Sequence, residues 1–299
     1  MKSNTVKAVF CAALGNIIWG FSFLFTKTGL QIAPDPNVML AHRFLLSTVL
    51  MLIPILLGRQ KISFKGKKWG PLAVLLSMQL TYYLFETYGV LYTNSTIAGL
   101  VLAVVPVVTI GTGALFLKEY PSKKQILFCI IPVAGVILIT ISGKELGIVR
   151  PIGLLFLLLT MLSSAFYKTA NRTMSSQFTA YERTFLVLAI SGIAFGISGL
   201  SSVKWNLQEF AKPLAEGKYL LSIFSLSVLC SIAANLLVNY ATGHLSLFKV
   251  SSFGALSTLC TAVAGVCILK EPFSLLLALG GVLILTGVYL VTAKGQKKP

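Results

Sequence analysis

Arg43 and Glu86 are opposite charges that each interrupt a long apolar run. A charge inside a membrane helix is costly and turns towards protein or water. Arg43 lies about seven residues from one end of its run, and Glu86 about five from the matching end of the next. At 1.5 Å rise per residue their depths differ by about 3 Å. The two read either as a fixed ion pair tying two helices together, or as a site for a proton, a charged solute group or a gate. His42 points about 100° away from Arg43 on the same helix and has the right chemistry to titrate near neutral pH. It is a coupling candidate or an interfacial histidine.

Gln79, Tyr82, Tyr83 and Glu86 recur at i, i+3, i+4, i+7 and share one helix face. Such a polar-aromatic stripe suits a cavity wall, or hydrogen bonding between helices. Ser227, Ser231, Asn235 and Asn239 form a second stripe, each four apart. Lipid would leave those amides unsatisfied, so the stripe faces a cavity or other helices. Asn16, Trp19 and Phe23 share a face in the first run, and Tyr167 with Ser163 and Ser164 occupies a comparable place later. Trp19 is near mid-run, away from the interfacial belt usual for tryptophan. It stacks on a solute or packs in the core. Ser251, Ser252, Ser257, Thr258 and Thr261, and the Gly192-x-x-x-Gly196 motif, read as close helix packing.

No enzyme signature is visible. There is no phosphate-binding loop, no His-Glu-x-x-His, no second carboxylate near Glu86 in depth, and only two histidines, far apart. Neither a cofactor nor a metal is expected. Cys11, Cys129, Cys230, Cys260 and Cys267 lack zinc-type spacing and imply no disulfide framework.

These residues need helices to hold them. Hydrophobic residues make up 56% of the chain and charged residues 11%, against about 25% charged in a soluble domain. Mean hydropathy is +0.86. Alternation at period 2 is nowhere sustained, which argues against an outer-membrane barrel. Apolar spans are predicted at about 6–27, 36–57, 70–91, 95–117, 124–142, 151–171, 180–201, 218–240, 247–269 and 273–293. The first is too long for a signal-peptide core and others follow it, so it reads as retained.

The net charge of +17 does not indicate nucleic acid, because the lysines and arginines gather at span ends. With the N-terminus cytoplasmic, 17 of them fall on inside segments and 7 on outside ones, Arg43 being within a span. That bias places both termini inside, with cytoplasmic cations facing anionic lipid.

Leu117-Lys118-Glu119 returns as Leu269-Lys270-Glu271, and Gly135-Val136 as Gly287-Val288, both at an offset of 152 residues. The expected architecture is therefore all-α and integral to the membrane, with two five-helix repeats at 1–146 and 147–299. Five is odd, so the second repeat is inverted relative to the first, the plan of many alternating-access carriers. Glu119 and Glu271 then end equivalent helices, where a negative charge opposes the dipole. That suggests a structural or gating role.

The chain resembles the drug/metabolite transporter superfamily, in particular its ten-helix EamA-type members. The resemblance rests on Trp19-Gly20-x-x-Phe23, Arg43-Phe44, Glu86, Leu91-Tyr92-Thr93-x-x-x-x-Ala98, Pro106 and the two Leu-Lys-Glu phrases. It covers nearly the whole chain. It implies export of amino acids, related metabolites or drugs through a cavity between the repeats. Pro106 has no counterpart, since Thr258 stands where a second proline is common, which puts symmetric gating by the two helices in doubt.

The reading is a secondary carrier in the bacterial inner membrane, moving a zwitterionic or neutral small solute outward as a monomer or homodimer. Substrate contacts are expected from Asn16, Trp19, Phe23, Gln79, Tyr82, Tyr83, Glu86, Tyr167, Ser231, Asn235 and Asn239. Coupling or gating is expected from His42, Arg43, Glu86 and Pro106. Protons are a candidate coupling ion, although Arg43 beside Glu86 would make it a poor proton carrier and favour facilitation. The alternative is a lipid-handling or non-transporting assembly subunit.

Overall fold

A computed structural model describes residues 2–33, 35–63, 66–118, 150–245, 247–270 and 273–293, with scattered positions between 120 and 138. The expected span at 124–142 falls mostly outside the described residues, as do Glu119, Glu271 and Val136.

The described chain is helical and contains no strand. Its helices are α1 (Lys2–Gly20), α2 (Ser22–Ile32), α3 (Pro36–Leu56), α4 (Trp69–Tyr92), α5 (Ser95–Leu102), α6 (Val105–Leu117), α7 (Pro151–Met174) and α8 (Ala180–Ser202). They continue as α9 (Leu207–Ala211), α10 (Gly217–Phe224), a π-helical stretch at Ser225–Ala233, α11 (Ala234–His244), α12 (Leu247–Ser252), α13 (Gly254–Cys267) and α14 (Leu275–Ala293).

Among the described residues, six helical runs are long and apolar enough to cross a bilayer: Asn4–Ile32, Pro36–Leu56, Ser95–Leu117, Pro151–Met174, Ala180–Ser202 and Gly217–His244. The protein is a multi-pass membrane protein. α4, with 24 residues, is long enough as well, but its polar stripe lowers its hydropathy. The six clear spans stand where the sequence predicts ten, so the ten-helix count rests on the sequence.

Local chemistry sets the helix starts. Asp35 accepts from the Asn37 amide at 2.8 Å, with Pro36 opening α3. Asn94 accepts from the Ile97 amide at 2.8 Å and starts α5. Thr179 and Glu182 form a reciprocal capping box on α8. The repeated lysines share an unusual backbone: Lys118 has φ 56° and Lys270 has φ 53°. A left-handed residue ends a helix and satisfies a late carbonyl, and the Lys118 amide bonds Gly113 O. Each lysine also brings a cation to the negative end of the helix dipole.

The most extensive packing joins the first half of the chain to the second: α4 on α7, α3 on α8, α1 on α11 and α5 on α13. Several of these runs are interrupted midway. The run Asn4–Ile32 breaks at Phe21, the run Ser95–Leu117 at Ala103 and Val104, and the run at 247–267 at Phe253. Pro106 sits in the first turn of α6, just past the second break, where its missing amide hydrogen costs nothing. The third break has no proline. It occurs immediately before Gly254.

Candidate functional site

The interruptions surround a central cavity of about 90 Å3. Ser22 and Phe23 follow the first break, Leu102 and Val105 flank the second, and Gly254 follows the third, all on the cavity wall. A helix end leaves backbone groups free to face a solute, which continuous helices cannot do.

The polar wall comes from α1, α2, α3, α4, α7 and α13, and includes Ser257 and Thr258, which the sequence alone reads as close packing. Asn16, Trp19, Phe23, Arg43, Gln79, Tyr82, Tyr83, Glu86 and Tyr167 all line the cavity. Arg43 is 2% exposed, Glu86 2% and Gln79 4%. Arg43 Nε donates to Ser231 Oγ at 2.8 Å, and its guanidinium lies over the Phe44 and Tyr83 rings at 5.0 and 5.1 Å. The Tyr82 hydroxyl donates to Glu86 Oε1 at 3.2 Å. Arg43 Nη1, Gln79 Oε1 and Glu86 Oε2 are buried with no hydrogen-bond partner. The ion pair expected between Arg43 and Glu86 is absent: the ion pairs among the described residues are Lys67–Glu182 and Lys212–Glu209. Stacking on two rings and bonding to Ser231 hold the guanidinium in a different orientation.

The second stripe stands behind this wall. Ser231, Asn235 and Asn239 are buried but do not line the cavity. The π-helical stretch explains part of this, because i→i+5 pairing shifts the face that an i+4 pattern assumes. It also supplies carbonyl acceptors: Trp19 Nε1 donates to Cys230 O at 3.0 Å, and Asn235 Nδ2 donates to Ser231 O at 2.8 Å. Trp19 is thus pinned at the cavity edge. Asn239 joins a network in which it accepts from Asn171 Nδ2 at 2.7 Å and donates to Thr184 Oγ1 at 2.8 Å.

Arg183 anchors that network, donating to Asn239 O at 2.7 Å and to Asn171. By charge alone Arg183 reads as a span-end cation, yet it is 2% exposed. Lys168 is a second residue missed by the sequence, since it lines the cavity. Its spacing from Ser164, four residues, was the available signal.

His42 and Arg43 face different spaces. His42 Nδ1 is 2.8 Å from the Tyr219 hydroxyl and borders a separate apolar cleft of about 630 Å3 with Leu45, Leu46, Leu214, Leu220, Leu221, Ile223 and Phe224. Pro106 is buried and borders neither space.

The model of the EamA-like transporter family matches residues 6–141 and again residues 151–293. The chain is 34% identical over 294 residues to the uncharacterized transporter YcxC of Bacillus subtilis (strain 168), covering 96% of this chain and 93% of the relative. It is 30% identical to an uncharacterized transporter of Archaeoglobus fulgidus, covering 94% and 96%. A crystal structure of a protein 15% identical superposes with a TM-score of 0.67 and covers 97% of this chain and 99% of that one, a likeness of fold alone. With a family model spanning most of its length and relatives along nearly all of it, the chain belongs to the EamA-like transporter family and is a membrane transporter.

Proposed function

We propose that the protein is a secondary carrier that exports a small zwitterionic or neutral organic solute, of the amino-acid kind, by alternating access. The observation that carries this reading is the central cavity with buried, unpartnered groups of both charge signs, Arg43 Nη1 and Glu86 Oε2. Intramembrane charges without partners are retained for function far more readily than for stability. The cavity of about 90 Å3 is below the roughly 300–1,000 Å3 of drug-sized sites. It suits a solute of few atoms held between helices that part to admit it.

Two inverted five-helix repeats at 1–146 and 147–299 would provide that motion. The double family match supports them. So does the packing, because exchanging the repeats turns the α4–α7 contact into the α11–α1 contact and the α5–α13 contact into the α12–α6 contact, both of which are present, and leaves α3–α8 as it is. The positive-inside bias supports cytoplasmic termini in a bacterial plasma membrane. Export follows from the family resemblance.

Flux of amino acids, nucleosides and cationic dyes in proteoliposomes, with and without a pH gradient, tests this. Accumulation driven by the gradient makes the protein a proton-coupled carrier, and equilibration makes it a facilitator. Absence of flux for every member sinks the reading.

One observation favours a lipid-handling alternative: the cleft beside His42 is apolar and shares no lining residue with the central cavity. Scrambling of fluorescent phospholipid by the reconstituted protein, with no solute flux, would select it.

A further inference from the structure

The unpartnered atoms on the cavity wall point to what a bound solute would offer. Arg43 Nη1 is a donor that lacks an acceptor. Glu86 Oε2 and Gln79 Oε1 are acceptors that lack donors. Their side chains are 2%, 2% and 4% exposed, and all three border the same cavity. A buried polar group left unmade is costly, and costlier when charged. Their other bonds are already spent, since Arg43 Nε is on Ser231 and Glu86 Oε1 is on the Tyr82 hydroxyl. The complement is one anionic acceptor and at least two N–H donors on a cation.

We infer that the solute presents a carboxylate to Arg43 and a primary ammonium to Glu86 and Gln79, and that the site refuses the quaternary analogue of the same solute. This rests on the carrier reading for its cavity but adds which end goes where. A primary ammonium has three N–H donors and pairs with both acceptors. A trimethylammonium group has none, so Glu86 Oε2 and Gln79 Oε1 stay unpaired. Quaternary ammonium sites instead offer open aromatic faces. Here the Arg43 guanidinium covers the Tyr83 ring, and the other rings of the wall, Trp19, Phe23, Tyr82 and Tyr167, share it with acceptors that a quaternary group cannot satisfy. An amine without a carboxylate leaves Arg43 unpaired, and a carboxylate without an amine leaves Glu86 unpaired.

The test uses the full-length chain in lipid nanodiscs and begins with isothermal titration of the twenty standard L-amino acids. The best binder is then compared with its N,N,N-trimethyl derivative, its decarboxylated amine and its deaminated acid. The expected result is that all three bind roughly 100-fold or more weakly, as for sites built to hydrogen-bond a group the analogue lacks. The inference is overturned by equal binding of the trimethyl derivative, and equally by failure of every amino acid to bind. The comparison is made on the unaltered protein, so no variant needs to fold. Flux separates the two claims. Selective binding without proteoliposome flux defeats the carrier reading and leaves the inference standing. Flux of quaternary solutes alone defeats the inference and leaves the carrier standing.

Discussion

Arg43 and Glu86 border the same cavity without pairing to each other: Nη1 of one and Oε2 of the other are both buried and unpartnered. The guanidinium is held by Ser231 and two aromatic rings, and the carboxylate by the Tyr82 hydroxyl. Each charge is therefore positioned without being neutralised. A solute that bridges them would recover the desolvation cost of both.

Glu86→Gln keeps the shape and the Tyr82 hydrogen bond but removes the charge. Flux of a zwitterion in proteoliposomes is expected to fall by about tenfold or more, on the scale of a lost charged hydrogen bond. If the remaining flux keeps its pH dependence, Glu86 is not the proton carrier.

Lys168→Gln removes one of the two cations on the cavity wall. With Arg43 and Lys168 against Glu86, the wall carries a surplus positive charge. The substitution is expected to shift preference from acidic towards neutral solutes by several-fold, read as the ratio of their initial rates. An unchanged ratio would place the Lys168 ammonium away from the solute.

Glu182→Gln addresses one end of the bundle. Glu182 Oε1 accepts from Lys67 Nζ at 2.8 Å and from the Ser63 amide at 3.0 Å, tying the 58–68 connection to the start of α8. Glutamine's single oxygen can keep the capping bond from the Thr179 amide, so the change removes the Lys67 ion pair and the Ser63 bond together while sparing the cap. Loosening this tie is expected to raise several-fold the alkylation rate of a cysteine placed at Ser164 on the cavity wall. The reference is Ser164→Cys alone, in a background with Cys11, Cys129, Cys230, Cys260 and Cys267 replaced. No change in rate would show that the ion pair does not hold the bundle closed.

Gly99→Ala tests the contact between α5 and α13. A Cβ there would lie 2.5 Å from Thr261 Cγ2. Overpacking of this kind costs about 1–3 kcal/mol. The thermal midpoint of the purified protein should drop by a few degrees, with Thr261→Ser restoring part of the loss by removing that methyl.

Trp19→Phe keeps a ring and deletes the bond from Nε1 to Cys230 O. A rise of a few-fold in KM with little change in maximal rate is expected, on the scale of one neutral hydrogen bond of about 1 kcal/mol. A fall in maximal rate alone would place Trp19 in the motion instead of in binding.

Much of the cavity wall was legible in the chain. Gln79, Tyr82, Tyr83 and Glu86 stand out because polar groups at helical spacing within an apolar run have no place against lipid. Trp19 stands out for its depth, Asn16 and Phe23 for sharing its face, and Tyr167 for its comparable place in the second half. The second stripe was legible as buried but not as to what it met. Asn235 and Asn239 ended in bonds to a π-helical carbonyl and to Asn171 and Thr184. Lys168 and Arg183 were hidden by their chemistry, since a cation near a helix end ordinarily marks the membrane surface.

Composition and period by themselves determined that this is an all-helical membrane protein and which faces avoid lipid. Both follow from the transfer cost of polar groups, a property each residue carries without its neighbours. Tertiary structure alone decided that Arg43 bonds Ser231 without an ion pair to Glu86, and that Phe253 breaks its helix without a proline. It also decided that the central space is about 90 Å3. Those outcomes depend on how close neighbouring helices come and which side chain occupies each gap. Packing between distant segments sets that, and no local pattern encodes it.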